Sequence, residues 1–174
     1  MNAWGHFKTI TKHKFIVMTY CFRAGMIKQG LLHDLSKYSP SEFLVGAKYF
    51  SGVRSPNVLE RQELGYSTSW IHHKGRNKHH FEYWVDNSRD GFYPVPMPKK
   101  YIAEMVFDRI AACKTYNGKE YTDSSPLNYY KMGFDSRIMN PDTKEQIEML
   151  LTMLSEQGEK KVIDFIRHQY LKNR

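Results

Sequence analysis

Three short stretches hold residues whose chemistry exceeds what packing alone requires. "GLLHDLSKYSPSEF", residues 30–43, sets His33 beside Asp34, with Lys37 and Glu42 following closely. "WIHHKGRNKHH" gathers His72, His73, His79 and His80 within nine residues. In "AEMVFDRIAAC", Asp108 sits among Val106, Phe107, Ile110 and Ala111, close to the side that should be buried. A carboxylate there is costly unless it is paired, hydrogen-bonded or bound to a metal. His13 stands in the middle of the first helical segment. Imidazole nitrogens and carboxylate oxygens together suit Mn, Fe, Zn, Ni or Co, and one carboxylate can bridge two ions.

Helices must position this set. Neighbouring residues of a helix project about 100° apart, so His33 and Asp34 do not chelate as an i, i+4 pair would. They can still reach one site enclosed by several helices, since facing helices of a bundle each contribute one or two inward ligands. His72 and His73 face different ways, and His73, three residues after the core-like Trp70, is the preferred ligand. His79 and His80 are both candidates. His6 and His168 lie outside the pattern and read as surface or core polar residues.

The chain supplies the helices. "HFKTITKHKFIVMTYCFRAG" has apolar residues at helical spacing and Gly25 as its stop. "SPSEFLVGAKYFSG" opens with Ser39 as cap, Pro40 at the first helical position and Glu42 three residues after the cap. "SPNVLERQELGYSTSWIHHKG" starts in the same manner and runs towards His73. Residues 86–98, "DNSRDGFYPVPMP", read as a loop. Helical patterns follow in "PKKYIAEMVFDRIAACKTYNG", "PDTKEQIEMLLTMLSEQG" and "EKKVIDFIRHQYLKN". No segment alternates convincingly as a strand. The expected fold is therefore all-α, a compact single-domain helical bundle over residues 1–174. The metal-site core would occupy about 6–118, with C-terminal helices (119–174) packed on it.

The totals agree. With 174 residues, 41% hydrophobic and 25% charged, the chain can bury a core without staples. Cys21 and Cys113 form no CxxC pattern and read as buried thiols, which fits a reducing, cytoplasmic compartment. No apolar run approaches the roughly 20 residues that span a bilayer, so no membrane partner is expected. The net charge of +8 points to phosphorylated small molecules or nucleic acid, with the small molecule favoured.

The order His13, then His33-Asp34, then the histidine-rich stretch, then Asp108 resembles the HD superfamily of metal-dependent phosphohydrolases, over roughly residues 6–118. Lys37 in "HDLSK" matches the HD-x-x-K form of several branches, among them the HD-GYP phosphodiesterases. "HHFE" at 79–82 and "DGFYP" at 90–94 resemble that branch too, although one glycine of its DGxGYP is missing and the spacing is longer. The wording as a whole is closer to a poorly characterised family of small HD-like proteins. The resemblance implies an all-helical fold with one or two divalent metals held by His13, His33, Asp34, His73, His79, His80 and Asp108. Asp34 would bridge, His13, His33 and Asp108 would complete the first site, and His73, His79 and His80 would hold the second. The expected activity is hydrolysis of a phosphate ester, monoester or diester, of a nucleotide or related small molecule by a metal-activated water. Asp34, Lys37 and Glu82 are the candidate catalytic residues, with Lys37, Arg76, Lys78 and Arg89 drawing in the anion. A di-iron oxygenase on the same fold and a non-catalytic, basic, nucleic-acid-binding helical protein are the competing expectations.

Overall fold

A computed structural model describes residues 1–132 and 138–172. The chain runs α1 (Ala3–Arg23), α2 (Ile27–Leu32), a 3-10 turn (Leu35–Tyr38), α3 (Pro40–Lys48), α4 (Pro56–Leu64) and α5 (Thr68–Lys74). A 3-10 turn (Phe81–Trp84) leads into the hairpin β1 (Val85–Ser88) and β2 (Gly91–Pro94). Then come α6 (Lys99–Asn117), α7 (Ser125–Lys131) and α8 (Pro141–Phe165), which ends in a π-helical turn, Ile166–Tyr170. The all-α expectation holds, with one small hairpin added.

Helix α6 organises the rest. Ile102, Ala103, Met105, Val106, Phe107, Ile110 and Ala111 are all buried, so apolar residues cover it nearly all round and it can only sit inside. It packs against α1, α7 and α8, and one apolar core runs from Val17 through α6 to Tyr170. Tyr20 of α1 stacks on Phe107 with ring centroids 5.7 Å apart. Cys21 and Cys113 are buried free thiols. Two polar residues interrupt α6 on one side, Glu104 and Asp108, four apart and so on one face.

Helix α1 meets α3 where Gly46 lies against His6. A Cβ on Gly46 would come within 2.2 Å of His6 Nε2, so only glycine lets the helices approach this closely. His6 is buried beside Phe43 and Phe50, and burial holds its pKa down at about 4, with Lys37 adding to the effect. His168 is exposed.

Several expected elements take a different form. The segment 55–75 is two helices, because Gly65 turns left-handed (φ 80°) and Ser67 caps α5 by accepting from Trp70 N. Buried Glu60 holds the junction, accepting from Ser67 Oγ at 2.6 Å and Thr68 N at 3.0 Å. Residues 86–94 of the expected loop 86–98 belong to a hairpin with two residues, Arg89 and Asp90, between the paired Ser88 and Gly91. Its strands are short and largely exposed on both faces, which erases the alternation that would betray them. Helix α7 was not foreseen, since seven residues are too few for a period to show. Ser39 does precede α3, but its side chain makes no cap bond, and Glu42 points elsewhere. Asn173 of the last helical pattern lies outside the described residues.

The two C-terminal patterns join as α8, broken at Gly158 (φ 82°, ψ 170°), a backbone geometry that glycine alone adopts easily. The break turns Glu159 inward. It accepts from Tyr20 OH at 2.6 Å and Tyr121 OH at 3.0 Å, and pairs with Lys114 at 2.6 Å. Burial alone would raise the Glu159 pKa, but Lys114 and the two hydroxyls hold it below its ordinary 4.5. A depressed carboxylate stabilises the fold fully above its unfolded pKa and loses that contribution as pH falls through the folded value. The stability advantage of the wild type over Glu159→Gln should therefore be largest above pH 4.5 and shrink below it, as thermal unfolding across pH would read.

Candidate metal centre

The site begins with a turn. Helix α2 ends at Leu32, and Asp34 takes the left-handed conformation (φ 54°, ψ 26°), the one such non-glycine among the described residues. Aspartate tolerates this region better than most residues, and strain of this kind clusters at functional sites. The pair His33-Asp34 is thus in a reversal rather than a helix. This corrects the expected 100° divergence: His33 Nε2 lies 3.3 Å from Asp34 Oδ2.

Asp34 is 1% exposed and each of its oxygens faces a different group of side chains. Around Oδ2 are His33 Nε2 and, at 3.6 Å, His13 Nε2. Asp108 Oδ1 closes this first group, 2.9 Å from His13 Nε2 and 3.6 Å from His33 Nε2. Around Oδ1 are His73 Nε2 at 3.3 Å and His79 Nε2 at 3.4 Å. His80 belongs to this second group, its ring 4.2 Å from that of His79 and 4.8 Å from that of His73. Within each group the ligand-type atoms lie inside 4.8 Å of one another.

Apart from the His13–Asp108 hydrogen bond at 2.9 Å, these spacings, 3.3–3.6 Å, fit a cation better than they fit hydrogen bonds. Nitrogen–oxygen bonds in proteins fall at about 2.7–3.2 Å. Two ligands of one ion, each about 2.1 Å from it at tetrahedral angles, lie about 3.4 Å apart. His33 Nε2, Asp34 Oδ1, His79 Nε2 and His80 Nε2 are buried with no hydrogen-bond partner among the described residues. Four inward, convergent, unsatisfied polar atoms are expensive unless something else binds them. The donor set, imidazole and carboxylate without thiolate, suits Mn, Fe, Zn, Ni or Co.

A second layer of carboxylates aims the rings. Glu104 Oε1 accepts from His33 Nδ1 at 2.9 Å and lies 3.2 Å from His79 Nδ1, so it serves one histidine of each group. Glu42 accepts from His73 Nδ1 at 2.8 Å and from His72 Nδ1 at 2.6 Å. A carboxylate on Nδ1 fixes the tautomer and leaves Nε2 to the metal. Asn77 donates to Ser36 Oγ and to the His73 carbonyl, both at 2.8 Å, tying the end of α5 to the turn after Asp34. The ring of Trp70 covers His73 and His80.

The charges follow from this wiring. Burial would raise every carboxylate, yet His33, Lys37 and His73 hold Asp34 well below its usual range, and His13 and His33 do the same for Asp108. Glu104 is lowered by His33 and His79 against the pull of burial. For His33 burial opposes the charge, but Asp34, Asp108 and Glu104 overcome it and raise the pKa well above the ordinary value. Burial, with His79 and His73 nearby, pushes His80 down.

The structure brings together all seven expected ligands: His13, His33, Asp34, His73, His79, His80 and Asp108. Of the adjacent pair, His73 reaches Asp34, while the half-buried His72 bonds to Glu42. Lys37 donates to Asp34 Oδ2 and is raised by that carboxylate. Glu82 follows in the turn after His80, its Oε2 buried without a hydrogen-bond partner. Arg76 bonds to the His72 carbonyl, Lys78 lies over Tyr83, and Arg89 is at the hairpin tip. Sequence reasoning missed Glu104 and Glu42 as members of the site. Their signals were present: Glu104 is one turn before Asp108 on the same helix, and Glu42 lies in the same stretch as His33 and Asp34.

A family model described as "Family of unknown function (DUF5662)" matches residues 2–153, and the chain belongs to that family. No curated protein and no solved structure matches the chain.

Proposed function

We propose that this member of the DUF5662 family is a metal-dependent phosphohydrolase that cleaves a phosphate ester of a nucleotide or related small molecule. The observation that carries this is Asp34, whose two oxygens belong to two separate ligand groups, as a bridging carboxylate's would. His13, His33 and Asp108 complete one group, and His73, His79 and His80 the other. The resemblance of this ordered set to the HD superfamily supports the same chemistry. Divalent cations held there would supply a water that ionises near neutral pH and positive charge for phosphoryl oxygens.

The chain's own groups do the remaining work. Lys37, 27% exposed at its side chain and next to Asp34, sets an ammonium where a non-bridging phosphate oxygen can pair with it. Asp108, with its side chain 17% exposed against 1% for Asp34, is the more open carboxylate of the ligand set, and substrate would enter from its side. Glu82, with its unpartnered oxygen, is the group assigned to carry a proton. Arg76, Lys78 and Arg89 add a positive approach for an anion.

The test is hydrolysis of p-nitrophenyl phosphate and bis-p-nitrophenyl phosphate with added Mn²⁺. The wild type should cleave one of them only with metal. Lys37→Gln should keep its metal and raise KM roughly tenfold, the scale of one charged hydrogen bond. Bound iron with a visible absorption band and no ester cleavage would replace this proposal with a di-iron oxygenase. Salt-sensitive nucleic-acid binding without any dependence on metal would replace it with a non-catalytic binder.

A further inference from the structure

We propose that the N-terminal face of the protein docks on an anionic lipid surface. Residues 1–33 carry Lys8, Lys12, Lys14, Arg23 and Lys28 but no aspartate or glutamate. The first acid of the chain, Asp34, is buried in the metal centre. On the same layer large apolar side chains stand in solvent: Trp4, Phe15, Ile27, Leu31, Leu32 and Leu35 are between 49% and 66% exposed.

The pattern is organised. Trp4, Lys8, Phe15 and Phe22 recur at spacings of four and seven, which puts them on one side of α1. The buried Ile10, His13, Val17 and Tyr20 occupy the opposite side. Trp4 stacks on Phe7 at 5.7 Å, with Lys8 Nζ at 5.7 Å over the Trp4 ring, so cation and aromatic are already side by side. Helix α2 extends the face, because Lys14 Nζ donates to the Leu31 carbonyl at 2.8 Å and holds that leucine against α1. Helix α1 is fully partnered on its inner side, yet its outer side and α2 leave this apolar surface uncovered.

The chemistry selects the occupant. Trp4 and Phe15 offer rings, but Ile27, Leu31, Leu32 and Leu35 are aliphatic and give nucleobases nothing to stack on, so nucleic acid would leave the α2 half of the face unmet. A second copy related by a two-fold would set this patch against itself, basic charge meeting basic charge with no carboxylate in residues 1–33 to pair it. An anionic bilayer satisfies both properties: basic residues meet lipid phosphates while Trp, Phe and Leu enter the headgroup–acyl boundary. Docking of this kind needs no spanning segment, and no helix of the described residues is long and apolar enough to cross a membrane. The inference does not depend on the metal centre.

The test is co-sedimentation of the full chain with vesicles of phosphatidylcholine alone or mixed with phosphatidylserine, at low and high salt. Binding to the mixed vesicles, weakened by salt and weak on neutral ones, is the expected result. Replacing Lys8 and Lys12 together by Gln should lower the apparent affinity about 25-fold, at roughly fivefold per charge. Trp4→Ser with Phe15→Ser should abolish binding and leave the circular dichroism and melting temperature unchanged, since both side chains are exposed. Equal binding to neutral and anionic vesicles would overturn the proposal. So would failure to bind either kind, whether the chain then captures an oligonucleotide or self-associates through Phe15 and Leu31.

Discussion

Asp34→Asn should empty both metal positions at once. Asparagine keeps the shape of the side chain and tolerates the left-handed backbone at φ 54°, so the turn after α2 survives. What it loses is the second anionic oxygen. His13 and His33 meet Oδ2, and His73 and His79 meet Oδ1, so in the variant one group faces an NH2 that cannot ligate and the other an uncharged, weaker oxygen. Removing any other ligand should cost one position more than the other. Elemental analysis of the variant should find neither metal retained, and ester hydrolysis should fall at least about a hundredfold. Loss of one metal with the other kept would show that Asp34 does not bridge.

Glu104→Gln has the next largest expected effect. Its carboxylate receives His33 from the first group and His79 from the second. Outer carboxylates of this kind are worth about 10–100-fold in metal affinity. The variant should therefore weaken binding at both positions, each by about that factor. Glu42→Gln should weaken only the second position, because the one ligand it contacts there is His73, its other partner being His72. Metal titration followed by calorimetry separates the two outcomes. Equal effects of the two variants, or none from either, would mean that the carboxylates merely pack.

The candidate ligands that the structure brings together were legible in the sequence because metal chemistry restricts such sets to few residue types. Seven histidines and aspartates in order already outlined two groups. Their supports were harder to see. Glu42 falls three residues after Ser39 and reads as half of a capping box, but its side chain leaves the helix end to hold His72 and His73. Glu104 reads as a polar residue on an otherwise apolar helix, and only its i, i+4 relation to Asp108 sets it on the ligand face. The His33-Asp34 convergence could not be inferred from helical geometry at all, since it needs the left-handed turn at Asp34. In the fold, long helices with a strong apolar stripe were visible, and α6 most of all. The short elements were not: α7 has too few residues for a period, and the hairpin is too exposed for alternation.

The measurement that tests the central claim most directly is elemental analysis of the purified chain after reconstitution with Mn²⁺, Fe²⁺ or Zn²⁺ and removal of excess ion. A carboxylate-bridged centre predicts about two ions per chain from one of these metals. A chain that retains none from any of the three would contradict it, and the buried histidines and carboxylates would then be an ion-pair network within the fold.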